Sequence, residues 1–593
     1  MTVQLQITVP RIHRITIDHF RGIQHLTWLP KEGLNIILGG GDSGKTTMLD
    51  AIALLLSSTN TTVLTESDYW NRELDVGFSI EAVMSLPKSS GINQQNKNAW
   101  PWEWDGQELR QPSIELAPLF ANTAEAVYNL RVRGTAEFEL EYEILQPDGS
   151  ADHLAFAIRR NIGIVRLSGD DRNDRDLRLI QGSALDRLLS DKTLRSRLGQ
   201  RVGKIDIADE LKDLSKEKLT TLDLAFQQEA LPSGLNLGIA GGPDRSLNAL
   251  IGLTAAKDDI QLPLASWGAG TRRLAALQIA AIHQGENPIT LVDEVERGLE
   301  PYRQRVLMGQ LLKGKSQSFV TTHSASALSA ATQATLWYLD SKGSIGSLPQ
   351  SVAGHLRRDP ELFLARLAII VEGATEFGFV RTILEKSIGH DLLVLGIWLS
   401  DAGGNDNALI LLQGMVGSGL RFGGFVDNEG RDIGKWKLIK NILCSLLHQW
   451  AEGSTEANII NFVVDEQLEA FICDPSGERT GDRLRTLADR LGIEEKEFES
   501  IRDHAPNLKQ LIIDAASGSV PNDSPNMSKE DRKKWKAHSR HWFKSIEGGE
   551  ELATKVLGSQ FNLSSRLEGQ LLPFVNAVRA AIRLPEIDSI PHE

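Results

Sequence analysis

Gly39-Gly40-Gly41-Asp42-Ser43-Gly44-Lys45-Thr46 fits the pattern G-x-x-x-x-G-K-[ST], and its surroundings are those the pattern needs to work. Leu34-Asn35-Ile36-Ile37-Leu38, just before it, reads as a short buried strand. The residues after it, Thr46 to Ser57, carry Met48, Leu49, Ile52, Ala53, Leu55 and Leu56 at helical spacing. Glycines let such a loop curl so that several backbone N–H groups point inward, and the helix N-terminus adds positive potential at the same place. Lys45 is then placed to reach the β/γ-phosphates and the Thr46 hydroxyl to hold Mg²⁺. Gly39, Gly41, Asp42, Ser43, Gly44 and Thr47 complete the cradle. A chance glycine-rich turn is the alternative, and the strand–loop–helix context argues against it. The stretch reads as a nucleoside-triphosphate site.

Composition bounds what surrounds it. At 593 residues the chain exceeds one core, and two to four domains are expected. Hydrophobic content of 41% and charged content of 24% describe an ordinary globular protein. No apolar run approaches the length of a membrane span, and Met1 to Arg14 lacks the apolar segment of a signal peptide. The two cysteines, Cys444 and Cys473, fit a reducing cytoplasm and leave neither a disulfide framework nor a cysteine-built zinc site. A net charge of −14 argues against coating DNA over the whole surface, while leaving room for a local basic groove.

Taken in order, Arg14 to Ile23 alternates as a strand and turns at Gly22. With the glycine-rich loop close behind, it resembles the N-terminal lobe of ABC-type ATPases of the RecF and SMC kind. Asp75 to Leu86 and Ala136 to Leu145 read as further strands of a β lobe. Between them, Trp100-Pro101-Trp102-Glu103-Trp104 reads as a locally packed or partner-facing hairpin, with a base-stacking platform as the alternative. From Ser183 to Leu231 leucine spacing and dense charge suggest helices, and the whole of 183–255 reads as a helical insert used for dimerisation.

Ser266-Trp267-Gly268-Ala269-Gly270 opens a helix running through Ala275 to Ala281, which in the ABC-type resemblance is the signature turn facing a γ-phosphate. Ile289-Thr290-Leu291-Val292 then ends in Asp293-Glu294. Asp293 is expected to hold Mg²⁺ and Glu294 to orient or deprotonate the attacking water. Gly298-Leu299-Glu300-Pro301 falls where a D-loop belongs. Ser318 to Thr322 leads into His323, placed to sense the γ-phosphate. In ABC-type ATPases the signature turn completes the site of the other subunit, so one set of motifs implies at least a homodimer.

After Gly354 a second pattern begins. Ala365 to Val371 reads as a buried strand ending in Glu372-Gly373-Ala374-Thr375-Glu376, and Gly423-Gly424-Phe425-Val426 ends in Asp427-Asn428-Glu429. Acids at the C-terminal ends of neighbouring parallel strands converge at one sheet edge, and hard oxygen ligands suit Mg²⁺ or Mn²⁺. The arrangement resembles a Toprim domain, apart from a glutamate, Glu429, where the family pattern has aspartate. An ATPase of this kind followed by Toprim resembles the overcoming-lysogenization-defect (OLD) family of ATP-dependent nucleases, relatives of the Gabija nuclease subunit. That resemblance covers Arg14 to Thr61, Ser266 to Leu328 and Phe363 to about Asp474. It implies metal ligands at Glu372, Asp427 and Glu429, with Glu376 and one of Glu469 or Glu466 assisting, Glu469 preferred. It also implies a late lysine, Lys544, steadying the scissile phosphate.

The region 476–593 reads as mostly helical. Arg532-Lys533-Lys534-Trp535-Lys536 and Arg540-His541-Trp542-Phe543-Lys544 suit either a phosphate backbone with stacking or a solvated helix face with tryptophans turned inward. The expectation is an α/β chain with an ABC-type ATPase domain over 1–350, a Rossmann-like Toprim core over 363–475 and a helical extension. Its implied activity is ATP-gated cleavage of DNA. The alternatives are a DNA-binding ATPase that does not cut, or a sensor ATPase acting with a separate effector protein.

Overall fold

The computed structural model describes residues 9–41, 43–57, 63–92, 100–112, 125–167, 177–179, 183–189, 211–239, 251–257, 260–283, 288–340, 343–474, 477–521 and 528–592. Asp42 and much of the 183–255 insert lie outside them. The chain forms two compact units, Met1–Leu348 and Pro349–Glu593.

The first unit contains a six-stranded sheet in the order Ile164–Leu167, Ile289–Val292, Ser318–Thr321, Leu34–Gly39, Thr335–Leu339 and Ile345–Leu348. The first five strands are parallel and the last is antiparallel. Their near-continuous apolar runs are what a parallel sheet buried on both faces requires. Helix Lys45–Leu55 buries Met48, Leu49, Ala51, Ile52 and Leu55 in one core with this sheet and an antiparallel sheet built on Arg11–Phe20, Phe78–Ser85 and Glu125–Gly134. Gln317, fully within this core, accepts from Ile12 N and donates to Ile12 O and Lys31 O, tying the two sheets together.

One pair of alternatives is decided and one expectation changes. The tryptophan segment is a small hairpin, Trp102–Trp104 with Leu109–Arg110, whose Trp104 is buried and whose Trp102 indole donates to Leu145 O at 2.8 Å. Trp102 and Trp104 are thus held locally, whereas Trp100 is 65% exposed. The insert is not all helical. Helix Asp213–Gln228 follows the leucine spacing, but Asn236–Ile239 and Ile251–Lys257 join Ile260–Pro263 in a three-stranded antiparallel sheet. Short runs of β-branched and apolar residues after Pro232 and Gly234 outweigh the helical pattern there.

The second unit is built on a four-stranded, all-parallel sheet in the order Ile397–Asp401, Leu367–Val371, Phe422–Val426 and Leu447–Gln449. Helices Ala374–Ile388, Asn405–Met415 and Ile433–Leu443 alternate with its strands. The C-terminal helices are not a separate layer. Trp542, Phe543, Leu552, Val556, Leu567, Phe574 and Val578 share one hydrophobic core with Leu367, Ile369, Val371 and Phe425. Among the described residues no helix is long and apolar enough to cross a membrane.

Candidate functional site

In the first unit the parallel strands deliver their functional residues to one sheet edge. Gly39 (φ 152°) and Gly44 (φ 97°) give the loop its curl, and a Cβ at Gly39 would run into the Leu339 carbonyl. Lys45 Nζ donates to Gly39 O at 3.0 Å and Gly40 O at 2.7 Å, so the ammonium is held inside the loop it serves. Asp293 Oδ1 accepts from Thr46 Oγ1 at 3.2 Å and from Thr321 Oγ1 at 2.6 Å. The Thr321 hydroxyl in turn accepts from Glu294 N at 2.8 Å, and Glu294 takes a left-handed conformation at φ 49°. Gly41, Ser43, Gly44, Lys45, Thr46, Thr47, Asp293, Glu294 and His323 all line one cavity of about 730 Å³. Burial, and after it the Lys45 charge, lowers the His323 pKa below the usual histidine range. The ring therefore stays neutral beside the loop at neutral pH. Thr46 and Asp293 are the oxygen donors that would hold Mg²⁺ beside bound ATP.

Ser266 and Gly268 are exposed and do not line this cavity. Their helix, Ala269–His283, instead backs the acid pair. Arg273 is buried, and its guanidinium donates to Glu294 O at 2.7 Å, to Arg297 O at 3.1 Å and to Asp293 O. Gly270 packs so closely on Gly298 that a Cβ would meet the Gly298 carbonyl. Arg273, Thr321 and the cavity-lining Trp70 were not singled out by the sequence. Thr321 and Arg273 lie in stretches already read, but a hydroxyl or guanidinium turned toward backbone leaves no periodic signal.

In the second unit, strand Leu367–Val371 ends at Glu372 and strand Phe422–Val426 at Asp427, as their apolar runs imply. Glu372 Oε2 accepts from Asn405 Nδ2 at 2.8 Å and Asp427 N at 3.1 Å. Asp427 Oδ1 accepts from Thr455 N at 2.8 Å and Thr455 Oγ1 at 2.9 Å, at the N-terminus of helix Thr455–Phe462. Glu376, Asp427 and Glu456 are all buried, and each offers a carboxylate oxygen within 4.8 Å of the other two. Lys544 Nζ lies 2.8 Å from Glu456 Oε1, which also lies 3.2 Å from Thr375 Oγ1.

Three buried acids so close together resist being charged at once. Burial first, and then Glu456, pushes Glu376 up to about 7 against the pull of Lys544. Burial and the neighbouring Glu376 and Glu456 push Asp427 well above the carboxylate range. Burial raises Glu372 as well, opposed by the bonds from Asn405 and Asp427 N. For Lys544 burial works downward, but Glu456 and Glu376 outweigh it and its pKa rises. Glu376 Oε1 and Glu456 Oε2 are buried with no hydrogen-bond partner among the described residues. Buried oxygens without donors cost free energy that a cation would recover, so the residues present fit a hard divalent ion.

Two expected ligands are placed differently. Glu429 is exposed beside Arg431 at 3.6 Å and is not part of the buried group, although its charge raises the Glu372 pKa. Glu469 is exposed on the short helix Leu468–Ile472, as is Glu466 just before it. Glu456, which the sequence reading did not name, is the third acid beside Glu376 and Asp427. In the C-terminal stretch Trp542 and Phe543 are fully buried and cannot stack on bases, while Lys533, Lys534, Lys536 and Arg540 are exposed.

The glycine-rich loop, the acid pair and the strand order between them define a P-loop ATPase-type domain. Residues 34–329 match the family described as "AAA domain, putative AbiEii toxin, Type IV TA system". The DNA replication and repair protein RecF of Listeria monocytogenes is 41% identical over 85 residues, 13% of this chain and 22% of RecF. RecF of Listeria welshimeri matches to the same extent. The match thus spans 22% of the length of these curated relatives. Among solved structures, RecF with ATP is 15% identical with a TM-score of 0.35, covering 57% of this chain and 99% of that one. An Smc head bound to the C-winged-helix domain of ScpA is 14% identical with a TM-score of 0.36, covering 57% and 97%.

Proposed function

We propose that the chain is an ATP-gated, divalent-cation-dependent DNA endonuclease of the OLD type, with a Toprim-like catalytic sheet in its second unit, serving antiphage defence or DNA processing. The observation that carries this reading is the buried Glu376–Asp427–Glu456 cluster with Lys544 against it. Glu372, Glu376, Asp427 and Glu456 would hold Mg²⁺ or Mn²⁺. When bound, such an ion polarises a phosphodiester and lowers the pKa of an attacking water. The protein's own part is to fix four carboxylates on strand and helix ends and to exclude water from the buried ones. Lys544 supplies a permanent positive charge for the scissile phosphate. The exposed Lys533, Lys534, Lys536 and Arg540, a few residues before it, suit the phosphate backbone of DNA.

In the first unit, ATP bound on Lys45 and Thr46 would be hydrolysed with Glu294 as base or water-orienting group. Ser266 and Gly268, exposed and outside their own cavity, would serve the site of a second copy, so that ATP pairs two subunits and controls access of DNA. The similarity to a replication and repair protein favours one alternative, a DNA-binding ATPase whose second unit binds without cutting.

Plasmid nicking separates the two. With Mg²⁺ or Mn²⁺ the wild-type chain is expected to relax supercoiled plasmid. Glu376→Gln and Asp427→Asn are expected to stop nicking and leave ATP hydrolysis within about twofold, since the ATPase residues belong to the other unit. Nicking that persists in both variants overturns the nuclease reading.

A further inference from the structure

Among the described residues Glu372 is the one carboxylate of this edge held through a side-chain amide, and that amide has a dictated orientation. Asn405 is 6% exposed, at the start of helix Asn405–Met415. Its Nδ2 donates to Glu372 Oε2 at 2.8 Å and to Asp427 O at 3.2 Å, while its Oδ1 accepts from Trp436 Nε1 at 3.2 Å. Two acceptors on one side and an indole donor on the other leave a single amide orientation that satisfies all three. The flipped amide would set oxygen against the Glu372 carboxylate and the Asp427 carbonyl, and N–H against N–H at the indole. Loop backbone reinforces the placement, because Gly404 N donates to Glu372 O at 2.8 Å.

Trp436 is well placed to enforce this choice. It is 3% exposed and, with Ile439, is one of two buried residues on helix Ile433–Leu443. Most of the rest of that helix faces solvent, including Ile433, Leu438 and Ile442. Burying an indole N–H without a partner is unfavourable, so the ring and the amide lock one another.

We propose that Asn405 and Trp436 are positioning residues for the acidic cluster: Trp436 fixes the Asn405 amide, and Asn405 fixes the Glu372 carboxylate against the Asp427 backbone. The inference rests on the metal-dependent reading above. Asn405 and Asp427 N both hold Oε2, so the Glu372 carboxylate's position relative to Asp427 is set before any ion arrives. Partners of this outer kind set ligand orientation, and their loss typically weakens metal binding about 10- to 100-fold.

The test is Mn²⁺ binding to the full-length chain without nucleotide, measured by isothermal titration for wild type, Asn405→Ala, Trp436→Phe and the double variant, with thermal unfolding as the folding control. Asn405→Ala is expected to bind about 10- to 100-fold more weakly. Trp436→Phe keeps a buried ring, loses only the donor, and is expected to bind several-fold more weakly with an unchanged unfolding midpoint. The double variant is expected to match Asn405→Ala, because Trp436 acts only through that amide; a merely structural role would make the two losses multiply. Wild-type affinity in either folded single variant, or multiplying losses in the double, overturns the proposal. Should Asn405→Ala fail to fold, Trp436→Phe alone decides it. A wild-type chain that binds no Mn²⁺ overturns the metal reading itself, and this inference with it, and is told apart because every protein in the series is then silent.

Discussion

Lys544 Nζ lies 2.8 Å from Glu456 Oε1, an ion pair between the C-terminal helices and a helix that follows the last strand of the sheet. It brings a cation to the edge where Glu376, Asp427 and Glu456 crowd, while Glu469 stands exposed elsewhere. Lys544→Ala is expected to lower plasmid nicking by about 10²- to 10³-fold, the usual cost of removing one charge-stabilising group, with ATP hydrolysis retained. Glu456→Gln is expected to abolish both nicking and Mn²⁺ binding, whereas Glu469→Gln changes neither. Nicking kinetics with the two glutamine variants side by side settle which acid belongs to the site.

Two glycines deliver Lys544 to this place. At Gly378 an added Cβ would strike the Ile546 carbonyl, and at Gly549 it would strike the Thr375 carbonyl. Helices Ala374–Ile388 and Ile546–Leu557 therefore cross at backbone contact. Glu376 lies on the first of these helices, and Lys544 directly precedes Ser545, the cap of the second. Gly549→Ala is expected to destabilise the second unit by about 1–3 kcal/mol, as overpacking does, and to reduce nicking further by shifting Lys544. Gly434→Ala, where nothing approaches a Cβ within 4 Å, is the control and should be neutral or slightly stabilising. Urea denaturation of the two proteins makes the comparison; equal midpoints would mean that the crossing relaxes freely.

These relationships mark how far the sequence was readable. The glycine-rich loop, Asp293-Glu294, Glu372 and Asp427 follow short apolar runs, and a strand buried on both faces advertises both itself and whatever ends it. Glu456 gave no such signal. Ser454-Thr455-Glu456 reads as an ordinary helix start, with Ser454 accepting from Ala457 N as its cap and an acid in the first turn. Its place in the site depends on where that helix packs, which local pattern does not encode. The acid-rich Asp465-Glu466-Gln467-Leu468-Glu469 offered more carboxylates but turns them to solvent. Trp542, written among cations, was ambiguous for a related reason: only the core of the second unit shows that its indole is buried and donates to Thr486 Oγ1 at 2.9 Å. The strands at 236–239 and 251–257 were hidden because short apolar runs fit helix and strand alike.

His448 gives a pH signature to the second unit. It stacks on Phe425 with ring centroids 4.5 Å apart, beside Trp450, and burial lowers its pKa to about 4, with Lys440 acting in the same direction and a backbone bond at Gln570 opposing. The folded chain thus keeps this ring neutral while the unfolded chain protonates it near the ordinary value of about 6.5. The unfolded state binds more protons between those values, so stability falls as pH drops from about 6.5 to about 4 and is fully present above 6.5. The contribution is at most about 3 kcal/mol. His538, also lowered to about 4, chiefly by burial and Arg490, adds a loss of the same sign. His448→Phe is expected to flatten part of this acid-side slope in denaturation midpoints measured from pH 7.5 to 4.5. A slope unchanged by the substitution would show that His448 is protonated in the folded chain.

Lys45 lines the nucleotide cavity, whereas Ser266 is exposed and its hydroxyl donates to its own chain's Pro263 O at 2.7 Å. If two copies form composite sites, Lys45→Ala and Ser266→Arg disable opposite halves. Each protein alone is then expected to lose ATP hydrolysis. In a heterodimer one site carries both lesions, and the other combines an intact Lys45 with an intact Ser266. Random mixing of equal amounts makes about half of the dimers mixed, each with one working site of two, so roughly a quarter of wild-type turnover should return. Steady-state ATPase assays across mixing ratios, after exchange of subunits, should show a maximum near equal amounts. Glu294→Gln added to the Ser266→Arg chain removes the acid from the one intact site and should erase the recovery. Full activity in the Ser266→Arg protein alone, or no recovery on mixing, would mean that each chain hydrolyses ATP within its own cavity.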